Sequence, residues 1–234
     1  KLRLVIAGQA PEALLDSYCS ERVFAADENI MNSTRSTDFI TPKSPASLMF
    51  RDAVLALARD HAFARTLVNS GRLSMPSCLS NSPLNTPDCS DFSGSMQPGA
   101  AMNDAPMKEE GSDFWLLDRV GNRFVALVHV SDPAAIDTER LQRFKGLASS
   151  CPALDVVLVS PKPGRAPEGL RTFEDHAGRF AERYDSQPDT VYLIRPDQHV
   201  AARFRDFDAD QIKAALARAT CTAYHPAMET PAWA

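Results

Sequence analysis

The chain has 234 residues, 44% of them hydrophobic and 24% charged, with a formal net charge of -5. That is long enough for one large or two small domains and excludes disorder throughout. Arg is interleaved with Asp and Glu and no basic stripe forms, so nucleic acid and anionic membrane surfaces are poor partners.

Leu2, Leu4, Val5 and Ile6 predict a helix that begins with the chain itself, with no capping Ser, Thr, Asp or Asn and no Met ahead of it. A helix without a start signal points to a missing neighbour. The apolar run is broken too early, by Gly8 and Glu12, for a signal peptide, and no stretch reaches the roughly 18 to 20 apolar residues that span a bilayer. A cytoplasmic location is therefore expected. Gly8 closes the first segment, Pro11 opens the next, and Leu14, Leu15, Tyr18 and Ile30 mark an apolar face. Ser44-Pro45 starts another helix as cap and first-turn residue, with Leu48, Met49, Val54, Leu55, Leu57 and Ala58 along it; Asn69-Ser70-Gly71 closes this part.

Residues 71–111 are rich in Pro, Ser, Asn and Asp and carry no sustained period. Such a segment is either disordered or a strap pressed along a surface; the spaced Leu73, Leu79, Leu84, Phe92, Met96 and Met107 favour the strap. From Asp113 the pattern becomes strand-like: FWLLD (114–118) and RFVALVHV (123–130) with Gly121-Asn122 as a turn between them, then LDVVLVS (154–160) and TVYLI (190–194). Helices are predicted over about 134–149 and 171–183, so that VALVHV, helix and DVVLV form a βαβ unit. TVYLI turns at Arg195-Pro196-Asp197-Gln198 into HVAARF, and Asp208 with Gln211 has capping-box spacing before Ile212, Ala215, Leu216 and Ala219. With the first strand set aside, this is the thioredoxin-like order.

A thioredoxin-like fold invites thiol chemistry where the first βαβ strand meets its helix. Here that junction reads Val130-Ser131-Asp132-Pro133-Ala134 and holds no cysteine, which argues against a disulfide oxidoreductase or a peroxiredoxin-like peroxidase. Cys151 lies at the far end of the helix. Cys19, Cys78, Cys89, Cys151 and Cys221 are odd in number, widely spaced and without a CxxC, as expected of free thiols in a reducing compartment. His61, His129, His176, His199 and His225 show no metal-ligand spacing; His129, in an apolar strand, is the one that calls for inspection. GxGxxG, phosphate-loop and GxSxG motifs are all missing from these residues. The polar run Asn29, Asn32, Ser33, Thr34, Arg35, Thr37 and Asp38 is expected to fix irregular backbone, with a substrate-lining role for residues 29–42 as the alternative.

KLRLVIAGQAPEALLDSYCSERVFAADENI resembles the helix that follows the FAD-binding motifs in flavin-dependent aromatic hydroxylases of the phenol hydroxylase and p-hydroxybenzoate hydroxylase type. Lys1-Leu2, Gly8, Leu14-Leu15, Tyr18 and Glu21-Arg22 match that pattern, while Phe24 stands where the family has Pro, which relaxes an expected bend. The likeness continues through NSTRSTDFITPKS, GRLSMPSCLSNSPLNTPD and PGAAMNDAP into TVYLIRPDQHVAARF, where Gln198 replaces the usual Gly of a positive-φ turn.

The resemblance implies an α/β chain: residues 1–70 as the helical C-terminal part of the FAD and substrate domain, 71–111 as the strap, 112–220 as a thioredoxin-like domain with a mixed sheet, and 221–234 as a tail. It implies a parent enzyme that uses FAD and NAD(P)H to hydroxylate a phenolic or aromatic ring. The family's flavin motifs precede the point at which these residues start, so no catalytic, cofactor or metal residue is assigned in this chain. The implied partners are the upstream FAD-binding domain of the same polypeptide and a second copy of the parent. Apolar residues such as Leu4, Leu14 and Tyr18 are then expected to lack cover. The rival expectation is an independent thioredoxin-like interaction module without redox function.

Overall fold

The computed structural model describes residues 1–68, 76–164 and 169–222; Asn69-Ser70-Gly71, Leu73, His225 and the tail beyond 222 lie outside the described residues. By its contacts the chain comprises two units, Cys19–Leu79 and a larger one of Lys1–Tyr18 with Ser80–Ala234.

In the smaller unit, α2 (Ala13–Ile40), whose first residues belong to the larger unit, is followed by α3 (Pro45–Asp60) and α4 (Ala62–Val68). Residues 29–40 are helical and not irregular, which corrects the expectation for the polar run. No Gly or Pro occurs between Ala13 and Ile40, so nothing in the chain interrupts the intrahelical bonds, and Phe24 lets the helix pass where a Pro would break it. Its Asn, Ser and Thr residues are tolerated because propensity costs only tenths of a kcal/mol each, roughly 0.7 at most. Ser44 caps α3 as expected, its Oγ accepting from the Ser47 amide at 3.1 Å with Pro45 in the first turn.

The larger unit begins with α1 (Leu2–Ile6), which ends at Gly8 with φ 66. Leu4 joins the core of this unit and Leu14 is 1% exposed, so of the three residues expected to lack cover only Tyr18, at 60%, does. Among the described residues one mixed sheet has the order β2-β1-β5-β4-β3-β6-β7. These strands are β1 (Pro106–Glu109), β2 (Ser112–Trp115), β3 (Phe124–His129), β4 (Leu154–Ser160), β5 (Arg171–Glu174), β6 (Val191–Ile194) and β7 (Val200–Phe204). β3 runs parallel to β4 from Phe124↔Leu154 to His129↔Val159, while β6 is antiparallel to both β3 and β7. With α6 (Thr138–Ser150) joining β3 to β4 and α8 (Ala209–Ala219) following β7, the order β4-β3-β6-β7 is thioredoxin-like.

Local chemistry explains these elements. β3 is buried at every position, the signature of a strand covered on both faces. One face packs on Phe144 and Leu147 of α6 and on Ile212 and Leu216 of α8, each such burial stabilising by about 1.5–3 kcal/mol. Asp208 Oδ1 accepts from the amides of Asp210 and Gln211, fixing the start of α8 where the sequence placed it. The turn before β7 is closed by the Gln198 amide donating to the Arg195 carbonyl at 2.9 Å.

Three expectations need correction. FWLLD is not one strand: β2 ends at Trp115 and Leu116–Arg119 form a helical turn, α5, because Leu116 buries completely into the core. β2 pairs with β1 and not with β3, so residues 106–109 of the expected strap are a strand, and Gly121-Asn122 links α5 to β3. Residues 171–174 are β5, paired in parallel with β4, and the helix α7 (Arg179–Tyr184) begins only after Gly178, whose φ is 65. Residues 138–150 form α6 behind a 3-10 turn at Pro133–Ala135, each with its own Asp cap, Asp132 and Asp137.

Candidate functional site

In open sheets with parallel strands, chemistry gathers at the carboxyl ends of those strands. Here that place lies beyond His129 of β3 and Ser160 of β4. Asp132 Oδ1 accepts from the Ala134 amide at 2.9 Å and its Oδ2 from Lys162 Nζ at 3.0 Å. The Lys162 hydrogen bond, with the Ala134 amide, holds the Asp132 carboxyl below the usual carboxylate range. The junction that carries the dithiol in thioredoxin chemistry thus bears a solvated ion pair, and Cys151 caps the opposite end of α6. None of the five cysteines is in a disulfide.

Directly beneath is a buried polar group. His129, 6% exposed, has Nδ1 at 2.9 Å from Ser186 Oγ. Burial pushes the imidazole below its ordinary value, opposed by the negative charge of Asp175 and the hydrogen bonding at Ser186. Asp175 spends its oxygens on the amides of Phe180, at 3.1 Å, and Ala181, at 2.9 Å, and so starts α7. Ser, His and Asp meet here, yet the hydroxyl lies on Nδ1 and the carboxylate is committed to backbone. The group is built to fix β3 against α7, not to activate a nucleophile. Ser186 and Asp175 lie 57 and 46 residues from His129 and carried no local signal in the sequence; the first separation is that of the bond itself.

The second cluster ties the strap to the sheet. The Thr86 and Gly99 amides donate to the carbonyls of Ala201 and Val200, both at 2.8 Å, so the strap covers the outer edge of β7. Leu84 and Met96 are buried, and Phe92 is stacked under two guanidinium groups, Arg203 at 4.4 Å and Arg205 at 3.7 Å from its ring centre. Arg203 donates twice to Asp88, at 3.0 and 2.7 Å; Arg205 pairs with Asp185, which also accepts from the Ser93 amide at 2.8 Å. The Ser93 hydrogen bond and the Arg205 charge hold Asp185 below the usual carboxylate range despite its partial burial. HVAARF is legible as a strand; that its Arg203, with Arg205 just beyond it, clamps a ring over a hundred residues away is not.

A groove of about 750 Å³ opens beside β5 and β1, lined by Lys108, Glu110, Pro163, Leu170 and the bidentate pair Arg171–Glu109. Its charges largely answer one another. No group of His, Cys, Asp and Glu among the described residues is arranged to hold a metal ion. Among the described residues no helix is long and apolar enough to cross a membrane. Asn32, Arg35 and Asp38 lie along α2.

These features define a thioredoxin-like α/β domain whose thiol position is taken by an ion pair and whose first strand is locked by a buried histidine. Residues 105–219 match the family model described as HcaD C-terminal domain. The flavin-dependent monooxygenase PieE, solved with FAD and substrate, is similar over 94% of this chain and 42% of its own at 20% identity, with a TM-score of 0.66. Aklavinone-11 hydroxylase, solved with FAD and aklavinone, shows 20% identity and a TM-score of 0.58 over 94% of this chain and 37% of its own. The rebeccamycin biosynthetic enzyme RebC, solved with reduced flavin, shows 19% identity and a TM-score of 0.58 over 94% and 38%. No curated protein sequence matches. The chain therefore shares its fold with a part of each of these three structures and spans less than half their length.

Proposed function

We propose that the chain is the C-terminal part of an FAD-dependent, NAD(P)H-using monooxygenase that hydroxylates a phenolic or aromatic substrate, and that these residues serve structure or oligomerisation. One observation carries it: a single alignment with PieE takes in 94% of the chain, helical and sheet portions together. The residues present do not themselves fit a flavin. The turn after β3 carries Asp132 where a dinucleotide loop needs glycines, and its carboxylate would oppose a pyrophosphate. FAD and the nicotinamide therefore belong to the remainder of the polypeptide, as does the choice of substrate.

The test is expression of the complete gene product alongside the 234-residue chain. The complete product is expected to purify with flavin absorbance and to oxidise NADH or NADPH faster when phenols are added; the chain alone is expected to do neither. Turnover by the chain alone, or a complete product without flavin, overturns the proposal. The closed core between α6, α8 and the sheet favours the second reading, an independent interaction module without redox function. That module requires a complete product with no flavin-binding portion.

A further inference from the structure

A second, smaller cleft lies at the amino ends of β3 and β4, the opposite end from the Asp132–Lys162 pair. Its volume is about 120 Å³. A water takes roughly 30 Å³ of liquid, so the cleft has room for one small ion and not for a nucleotide base. Leu4, Phe124, Pro152 and Pro196 give it an apolar wall, its polar side chains are Lys1, Arg3, Gln9, Asn122 and Arg123, and no carboxylate lines it. Local structure gathers these groups. Arg3 stands in the last turn of α1; Gly8 reverses the chain at φ 66, and the Gln9 amide donates to the Leu4 carbonyl at 2.8 Å, which returns Gln9 to the same cleft. Asn122 comes from the turn before β3, at φ 63, with its amide donating to the Pro196 carbonyl at 3.1 Å.

The lining is rich in donors and short of acceptors. The carbonyls of Leu4, Pro152, Ala153 and Pro196 already accept hydrogen bonds. Arg123 spends Nε on Asp155 and one Nη on Pro152, and Lys1 Nζ donates to Ser17 Oγ at 2.8 Å. Among the described residues the side chains of Arg3, Gln9 and Asn122 have no hydrogen-bond or ion-pair partner. Asp155 answers one of the three positive charges, which leaves two beside an apolar wall. Exposed cations contribute little singly, but charges converging on a concave site act together on an ion held there. We propose that this cleft binds a phosphate-class oxyanion, either free phosphate or the phosphate group of a phosphomonoester. Arg3 and Arg123 supply charge, and the Gln9 and Asn122 amides donate to its oxygens. Every residue of the cleft belongs to the larger unit.

Amide NMR spectra of the 234-residue chain test this, with sodium phosphate titrated at about pH 7.5 against sodium chloride of equal ionic strength. Phosphate is expected to move the amides of Gln9, Asn122 and Arg123 saturably, half-complete at about 1 mM or below, and chloride to leave them in place. Arg3→Gln is expected to weaken binding at least about tenfold, and Arg3→Lys, which keeps the charge and loses the planar fork, by less. Arg3 is exposed, so neither substitution is expected to shift the melting temperature by more than about 1 °C. AMP titrated in parallel identifies the source: binding tighter than phosphate upholds the site as one for a phosphomonoester, and equal or weaker binding upholds it as one for the free ion. Three results overturn the proposal: linear drift shared with chloride, shifts at Lys162 or Arg171 as large as those in the cleft, and Arg3→Gln binding phosphate as the wild type does.

Discussion

Asp88→Ala strikes the point at which the strap is tied to the sheet. The substitution removes the carboxylate that accepts two hydrogen bonds from Arg203, a residue 5% exposed and held over the Phe92 ring. Removing one partner of a fully buried pair costs about 3–5 kcal/mol, because the other charge is left without compensation. The Asp88 side chain is 30% exposed, so water replaces part of what is lost. A cost of about 1–3 kcal/mol follows, which for a chain of this size lowers the melting temperature by roughly 3–10 °C. Calorimetry reads that shift, and limited proteolysis reads its location, because a strap without its anchor opens locally and is cut faster between residues 80 and 105. Arg203→Met removes the buried charge itself, so adding it to Asp88→Ala is expected to cost less than Arg203→Met alone, with a coupling of about 1 kcal/mol or more. A melting temperature within about 1 °C of wild type, with unchanged proteolysis, would refute the claim that this pair holds the strap.

Two further outcomes are expected of the larger unit. His129 is held below its unfolded value by burial, so folding disfavours its protonation; its contribution is complete above about pH 6.5 and is lost as pH falls below that value, at up to about 1.4 kcal/mol per pH unit. Urea titrations at pH 7.5 and 5.5 should show this loss in wild type and not in His129→Asn; equal slopes in both would rule His129 out as the source. Gln198 has φ 61, a left-handed conformation that costs a non-glycine residue about 1 kcal/mol, and its Nε2 donates to the carbonyls of Leu117 at 2.8 Å and Val120 at 2.6 Å. Stability is therefore expected to fall in the order wild type, Gln198→Gly, Gln198→Ala: Gly loses the two bonds but relieves the strained φ, whereas Ala loses the bonds and keeps the strain, for a total of about 2 kcal/mol. Denaturant midpoints for the three proteins check it, and Ala at or above Gly would contradict it.

The parts of the fold that the sequence made legible are those governed by neighbours along the chain. Ser44-Pro45 and Asp208 act as caps, Gly8 ends a helix, and Arg195 to Gln198 form a turn, because a cap or a turn is decided within about four residues. β3, β4 and β6 were visible as short apolar runs because strands covered on both faces need apolar residues at every position. Arg171-Thr172-Phe173-Glu174 has no clear period over four residues, so the sequence leaves β5 inside a predicted helix, and pairing with β4 decides it. β1 was lost in the strap for a similar reason: Pro106-Met107-Lys108-Glu109 becomes a strand only opposite Ser112 to Trp115.

Of the functional surface, the sequence by itself determined one thing firmly: no cysteine stands at the junction after β3, and no local rearrangement can supply one. It also ordered the motifs whose likeness to flavin hydroxylases the solved structures then matched in fold. Only the tertiary structure decided that His129 meets Ser186, that Asp175 spends its charge on α7, and that two arginines of β7 and its end grip Phe92. It alone showed that Met49, Phe50 and Leu57 of α3 are exposed while Leu4 and Leu14 are covered. The physical reason is the same in each case. A hydrogen bond or a buried face belongs to a pair of surfaces, and a linear pattern states the apolar content of one surface without stating which residues lie opposite.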